Sequence, residues 1–227
     1  MAALDLTYRE KDFITYIQEL TVVRHLPLKR IFDLLFSSMV IFFGLPVFIM
    51  IALLIRLSSR GSIIYQHKRI GRGGKPFYCY KFRTMYHDAD HRLKKILAKN
   101  PKLKKEWDST QKLKNDPRVT KIGALLRKSS LDELPQFFNV LAGDLSVVGP
   151  RAMIASEIEK FLGEKAQTIL SIRPGITGLW QTSGRSDTCY YKRIALDEEY
   201  VKNHSFLKDL TLIFKTIPAM IFCKGAY

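Results

Sequence analysis

Two adjacent carboxylates, Asp132 and Glu133, stand in the run LRKSSLDELPQ, with Arg127 and Lys128 just upstream and Arg151 following in VVGPR. A carboxylate among cations stays ionised, as a nucleophile or metal ligand must. Aspartate is also one of the side chains that form covalent phospho-enzyme intermediates. A neighbouring glutamate suits Mg²⁺, which takes few protein carboxylates and the rest of its shell from phosphate and water. The local chemistry therefore permits phosphoryl transfer through an acyl phosphate. It equally permits helix capping. Pro135 fits only the first turn of a following helix, which predicts Asp132 near the N-cap, and a capping Asp with a first-turn Glu is ordinary helix chemistry. The same helix start would offer free N–H groups to a phosphate.

Further cations come from a hairpin. The stretch SIIYQHKRIGRGGKPFYCYKFRTM has two β-prone runs around Gly71, Gly73 and Gly74, a turn signal. No GxxxxGK[ST] or GxGxxG pattern is present, so the glycines read as a turn rather than a phosphate cradle. Lys81 and Arg83, two apart on the second run, share a face. The five histidines are scattered, and Cys79, Cys189 and Cys223 have no metal-ligand spacing. They read as reduced thiols facing a cytosolic compartment.

The elements that must position these groups begin with DLLFSSMVIFFGLPVFIMIALLIRLSSR, residues 33–60. Between Asp33 and Arg56 lie 22 uncharged residues, enough in length for a spanning helix. A signal peptide is not expected, because the run starts late and acids precede it. Lys29 and Arg30 lie before the run, and Arg56, Arg60, Lys68, Arg69 and Arg72 after it. Basic flanks favour the cytoplasmic side, and here both flanks are basic. Pro46 removes a helical hydrogen bond and divides the run into pieces of about 18 and about 15 Å, each short of a hydrocarbon core of about 30 Å. The expectation is a re-entrant helix broken at Pro46, with freed backbone groups met by Ser37 or Ser38.

Around it, residues 8–24 predict a short amphipathic helix. Residues 88–115 read as a basic amphipathic helix at an anionic lipid surface. Residues 116–151 read as helix, turn, helix and a loop closed by Gly149-Pro150, and the chain ends in an amphipathic helix broken near Pro218. The fold class expected is helix-rich α+β: a monotopic membrane protein with a re-entrant helix, a small β-hairpin and amphipathic interfacial helices. Its parts are an N-terminal extension (1–28), the re-entrant helix (29–60) and a cytosolic catalytic domain (61–227).

In bulk the chain has 227 residues, 47% hydrophobic, and 37 Lys+Arg against 21 Asp+Glu, a formal charge of +16. That charge points to an anionic partner. Nucleic acid is not expected, since residues 88–115 hold Trp107 as their single aromatic and no docking motif occurs. A non-enzymatic membrane-anchored binder of anionic lipid or nucleic acid is the competing class; such a binder has no need of Asp132-Glu133 among cations.

KRIFD, YKFRTM, DPRVTKIGALLRKSSLDELPQFFNVLAGDLSVVGPR and RPGITGLWQTSGR occur in this order. Together they closely resemble the bacterial sugar transferase family, monotopic phosphoglycosyl transferases that load a sugar-1-phosphate from a UDP-sugar onto polyprenyl (undecaprenyl) phosphate. The resemblance covers residues 28–227. Some relatives carry a four-helix membrane domain where this chain has a short extension. It implies that Asp132 attacks the β-phosphate and holds the phospho-sugar until the lipid phosphate attacks, with UMP leaving. It implies that Glu133, with Asp132, binds Mg²⁺. Arg127 and Arg151 match phosphate-holding arginines, Lys81 and Arg83 lie in the matching strand motif, and Arg173 and Arg185 look like nucleotide-sugar contacts. The family's Ser-Pro break reads Leu45-Pro46 here, and its GPRP reads GPRA, with Ala152. UDP-glucose or UDP-galactose is the first donor suggested, in exopolysaccharide or O-antigen synthesis. The implied location is the cytosolic leaflet of the bacterial inner membrane, possible homo-oligomer formation included.

Overall fold

A computed structural model describes residues 12–110, 113–183 and 190–221. Helix α1 (residues 12–20) buries Ile17 against Ile70 and Met153, with Phe13 and Ile14 packed on the same cluster. This is the face that its apolar spacing predicts. Pro27, which has no N–H to leave unpaired, starts α2 (Pro27–Ser58).

Helix α2 runs through Pro46 as one element of 32 residues. The break expected there is not a gap between two helices. Proline deletes one backbone bond, and a helix of this length absorbs that loss without ending. By length and composition α2 could cross a membrane, yet both of its ends are fastened to the rest of the chain. Near the start, Asp33 accepts hydrogen bonds from Ser146 Oγ and Val147 N, each at 3.0 Å. Lys29 Nζ lies 2.6 Å from Asp209 Oδ2, and Arg30 donates to the Val140 and Leu141 carbonyls at 2.6 and 3.1 Å. Near the end, Phe48, Ile51 and Ile55 share a core with Phe82 and Leu126. Between the two anchors Phe42 and Phe43 are each 74% exposed.

Strands β1 (Ile64–Ile70) and β2 (Pro76–Phe82) form the expected antiparallel hairpin, with Tyr65 opposite Lys81. Gly73 and Gly74 take positive φ (66° and 72°) in its turn, a conformation that other residues rarely adopt. The basic segment that follows is two helices, not one: α3 (Ala89–Lys99) and α4 (Pro101–Thr110). Asn100 Oδ1 accepts from Lys102 N and Leu103 N at 3.1 and 3.2 Å. An Asn-Pro pair with this geometry ends one helix and caps the next.

Helices α5 (Lys121–Ser129) and α6 (Gln136–Ala142) then flank a 3₁₀ turn, Leu131–Glu133. Asn139 of α6, fully buried, accepts from Tyr80 N at 2.9 Å and donates to Tyr78 O at 2.8 Å. It thus pairs backbone groups of β2 as a neighbouring strand would. Strand β3 (Ser146–Val148) runs parallel to β4 (Gly175–Thr177), a pairing that the sequence reading did not anticipate. Gly149 and Gly175 meet backbone to backbone, where a Cβ on either would collide. VVGPR and RPGITG therefore lie side by side. Helices α7 (Ala155–Phe161), α8 (Lys165–Ile169), α9 (Leu179–Thr182) and α10 (Tyr190–Lys202) complete the body. The last, α11 (Phe206–Ile221), continues through Pro218 rather than breaking there. Tyr200 donates to Asp209 Oδ1 at 2.6 Å, so one buried carboxylate joins α2, α10 and α11.

Candidate active site

Helix α5 is set by Gly123, against which Thr84 packs so closely that a Cβ would strike its carbonyl. Thr120 caps the helix by accepting from Gly123 N at 2.9 Å, and its own N–H donates to Thr84 O at 3.0 Å. One turn later Arg127 Nε donates to Thr84 Oγ1 at 2.9 Å. This fixes the guanidinium plane. The helix ends at Ser130, whose φ of 57° is the single positive value at a non-glycine among the described residues. Such strain persists where surrounding structure enforces it, often at functional sites.

That reversal puts Asp132 and Glu133 in their own 3₁₀ turn. The N-cap positions on either side belong to Ser130 and Pro135, so Asp132 caps neither segment. The capping expectation is corrected: the left-handed residue turns the chain before the dyad, and proline takes the cap position of α6. Asp132 is 9% exposed. Lys81 Nζ donates to Glu133 Oε1 at 2.6 Å and stands 3.7 Å from Asp132 Oδ2. Burial raises the Asp132 carboxyl above its ordinary range; Lys81 and Arg127 pull it down, and Glu133 adds to the rise. The sequence suggested that cations alone would decide this charge, but desolvation outweighs them.

These groups face a cavity of about 950 Å³ whose walls include Lys81, Arg83, Arg127, Asp132, Glu133 and Arg151. Arg151 lies 5.2 Å over the Trp180 ring, and Arg193 lies 5.1 Å from the same ring. Behind Arg151, fully buried Asp197 accepts from its backbone N–H at 3.4 Å. Burial pushes the Asp197 carboxyl up to about 7 against the pull of Arg193.

Arg83 differs from Lys81 in its partners. It follows the last residue of β2 and donates to Ser59 O and Oγ at 2.8 and 3.0 Å. It therefore ties the cavity wall to the end of α2. Arg173 lies away from the dyad, donating to Gly143 O at 2.7 Å, and is not among the cavity-lining residues. Arg185 lies outside the described residues. Among the lining residues that the sequence reading did not single out are Arg69 and Trp180. The signal for Arg69 was alternation: Tyr65, His67 and Arg69 occur at every second position of β1, and all three line the cavity. Burial, together with Arg69 and Lys81, lowers the His67 pKa, which favours the neutral imidazole. Trp180 had no such signal.

Buried Asp132 and half-buried Glu133 thus face a large cavity whose wall includes arginines and a lysine, a lining suited to an anionic ligand. Residues 24–223 match the family described as bacterial sugar transferase, and the chain belongs to that family. It is 48% identical over 199 residues to the exopolysaccharide production protein ExoY of Rhizobium meliloti (strain 1021), an alignment covering 88% of each chain. It is 45% identical over 201 residues to the undecaprenyl-phosphate galactose phosphotransferase of Salmonella typhimurium (strain LT2), covering 88% of this chain and 42% of that one. It is 38% identical over 207 residues to the UDP-glucose:undecaprenyl-phosphate glucose-1-phosphate transferase of Escherichia coli (strain K12), covering 88% and 41%. The chain thus matches most of the exopolysaccharide relative and less than half of the two longer ones. It is a sugar transferase enzyme.

Proposed function

We propose that this protein moves a hexose-1-phosphate from UDP-glucose or UDP-galactose to undecaprenyl phosphate, as an early membrane step of exopolysaccharide or related glycan synthesis. The observation that carries the reading is Asp132: a buried carboxylate that caps no helix and faces the cavity beside Lys81 and Arg127. An Asp132 oxygen attacks the β-phosphorus of the UDP-sugar. The bond from that phosphorus to the bridging oxygen breaks, and the oxygen leaves on UMP. The phospho-sugar remains on Asp132 as an acyl phosphate. An oxygen of undecaprenyl phosphate then attacks the same phosphorus, the acyl–phosphate bond breaks, and Asp132 returns as a carboxylate. Donor and acceptor become UMP and undecaprenyl diphosphate-sugar.

Arg127 and Arg151 hold phosphate oxygens, one guanidinium fixed by Thr84 and the other by the Trp180 face. Arg69 adds a third cation for the two anionic substrates. The dyad also fits Mg²⁺, because this ion uses one or two protein carboxylates and completes its shell from water and phosphate. Asp132 and Glu133 would hold it, and bound there it would offset charge on the diphosphate. Lys81 keeps the two carboxylates together and lowers their repulsion.

The membrane arrangement proposed is monotopic, with the catalytic body at the cytosolic face of the inner membrane. Its support is the fastening of both ends of α2 to the same body, through Asp33 and Lys29 at one end and Ile51 and Ile55 at the other. The exposed face of α2 enters lipid without taking either end across. The proposed chemistry is tested by mass spectrometry after incubation with UDP-glucose or UDP-galactose and Mg²⁺ without acceptor. The expected result is a hexose-phosphate increment on the peptide containing Asp132, with UMP released. Full turnover by Asp132→Asn, checked for reversion to Asp, overturns it.

A further inference from the structure

We infer that the apolar side of the catalytic cavity, lined by Phe36 of α2 and Ile213 of α11, is the entry slot for the polyisoprenoid tail of the lipid acceptor, a site that rests on the function proposed above. The catalytic cavity has a second, apolar wall made by Phe36 of α2, Phe137 of α6, Val147 of β3, Ile176 of β4 and Ile213 of α11. A nucleotide diphosphate and a hexose have no use for five aliphatic and aromatic side chains. A chain of isoprene units does.

This wall is continuous with an apolar outer surface. On α2, Ile31, Leu35 and Met39 are 55, 69 and 50% exposed, beside the inward Phe36. On α11, Leu207 and Phe214 are 75 and 69% exposed, and Phe214 neighbours the inward Ile213. Each helix therefore shows apolar residues to the outside and sends the adjacent one into the cavity. An aromatic series marks the seam. Phe206, 53% exposed, meets Phe32 edge-on at 5.3 Å; Phe32 stacks on Phe36 at 5.5 Å; and Phe36 lies 6.3 Å from Phe137. The series leads from outer surface to cavity wall.

The acceptor needs such a route. Its phosphate must reach the phosphorus on Asp132 while its tail stays out of water, and a path between two lipid-facing helices meets both demands. The occupant is an isoprenoid chain rather than a phospholipid acyl chain, because only the former carries a phosphate that must react inside this cavity.

The experiment uses the full chain in vesicles of phosphatidylethanolamine and phosphatidylglycerol containing tritiated undecaprenyl phosphate. p-Benzoylphenylalanine replaces Phe36, Ile213 or, as a control, Tyr191, which is 73% exposed on α10. Irradiation is expected to label the proteins altered at 36 and 213, with competition by unlabelled undecaprenyl phosphate and not by added phosphatidylglycerol. Equal labelling at 191, or equal competition by phosphatidylglycerol, overturns the slot. In parallel, Ile213→Trp narrows it. The KM for undecaprenyl phosphate is expected to rise about tenfold while that for short-chain farnesyl phosphate changes little; equal rises overturn the slot. Specific capture at 36 and 213 by a protein that releases no UMP from any UDP-sugar leaves the slot standing and removes the proposed function instead.

Discussion

Lys81 is hydrogen-bonded to Glu133 at 2.6 Å and stands 3.7 Å from Asp132. The lysine therefore neutralises Glu133 directly and Asp132 at one remove. Register explains this: Lys81 sits one residue from the end of β2, whose backbone is held to α6 by Asn139 at Tyr78 and Tyr80.

Lys81→Met should reduce turnover about a hundredfold, in the range seen when one preorganised donor is lost. It should also move the acid limb of the pH–rate profile upward. In the proposed mechanism Asp132 attacks as a carboxylate; burial raises that carboxyl and Lys81 opposes the rise. An acid limb at the wild-type position would detach Lys81 from Asp132.

Asp132→Asn should abolish turnover and stabilise the fold. A carboxyl whose folded pKa is raised holds its proton more tightly in the folded state. Stability from this group is thus fully present below the unfolded value of about 3.9 and is lost as pH rises through the folded value. Asparagine does not suffer that loss, and Glu133 still pairs with Lys81. A gain in Tm near neutral pH that shrinks toward about pH 4 is expected. Thermal unfolding across pH checks it, and a pH-independent gap would contradict the assignment.

Arg127→Lys and Arg151→Lys keep the charge but lose planar donors, one fixed on Thr84 and one stacked on Trp180. Each should lower kcat/KM by about tenfold or more. Trp180→Leu should resemble Arg151→Lys, since the first takes the aromatic face from the guanidinium and the second takes the guanidinium itself. Wild-type kinetics in the two Arg→Lys variants would make these arginines structural.

Single cysteines at His25 and Ser62, one beyond each end of α2, should both react with an impermeant maleimide only when the cytoplasmic face is open. Replacing Cys79, Cys189 and Cys223 with alanine provides the background. Labelling of the two positions from opposite faces would falsify the monotopic arrangement.

Much of the site was readable in order along the chain. Asp132 and Glu133, with Arg127 and Arg151 around them, stand in runs whose charges permit a phosphate-handling site; spacing put Lys81 on a strand face, its place in the site came from the family resemblance, and the hairpin followed from its glycines. The apolar run of α2 and its basic flanks were equally plain, because length and composition are properties of the sequence itself.

What tertiary structure decided is which of these groups meet. Arg173 looked like a site cation and instead binds Gly143 O, while Arg83 reaches back to Ser59. Whether Asp132 caps a helix depended on the backbone of Ser130, which adopts a conformation that serine rarely takes. The raised Asp132 carboxyl follows from burial, a property of neighbours from several segments and not of the run LRKSSLDELPQ. The β3–β4 pair, the Trp180 face under Arg151, and the convergence of Phe36 and Ile213 all join residues far apart in sequence. Local pattern carries no record of such contacts; packing of the assembled elements creates them.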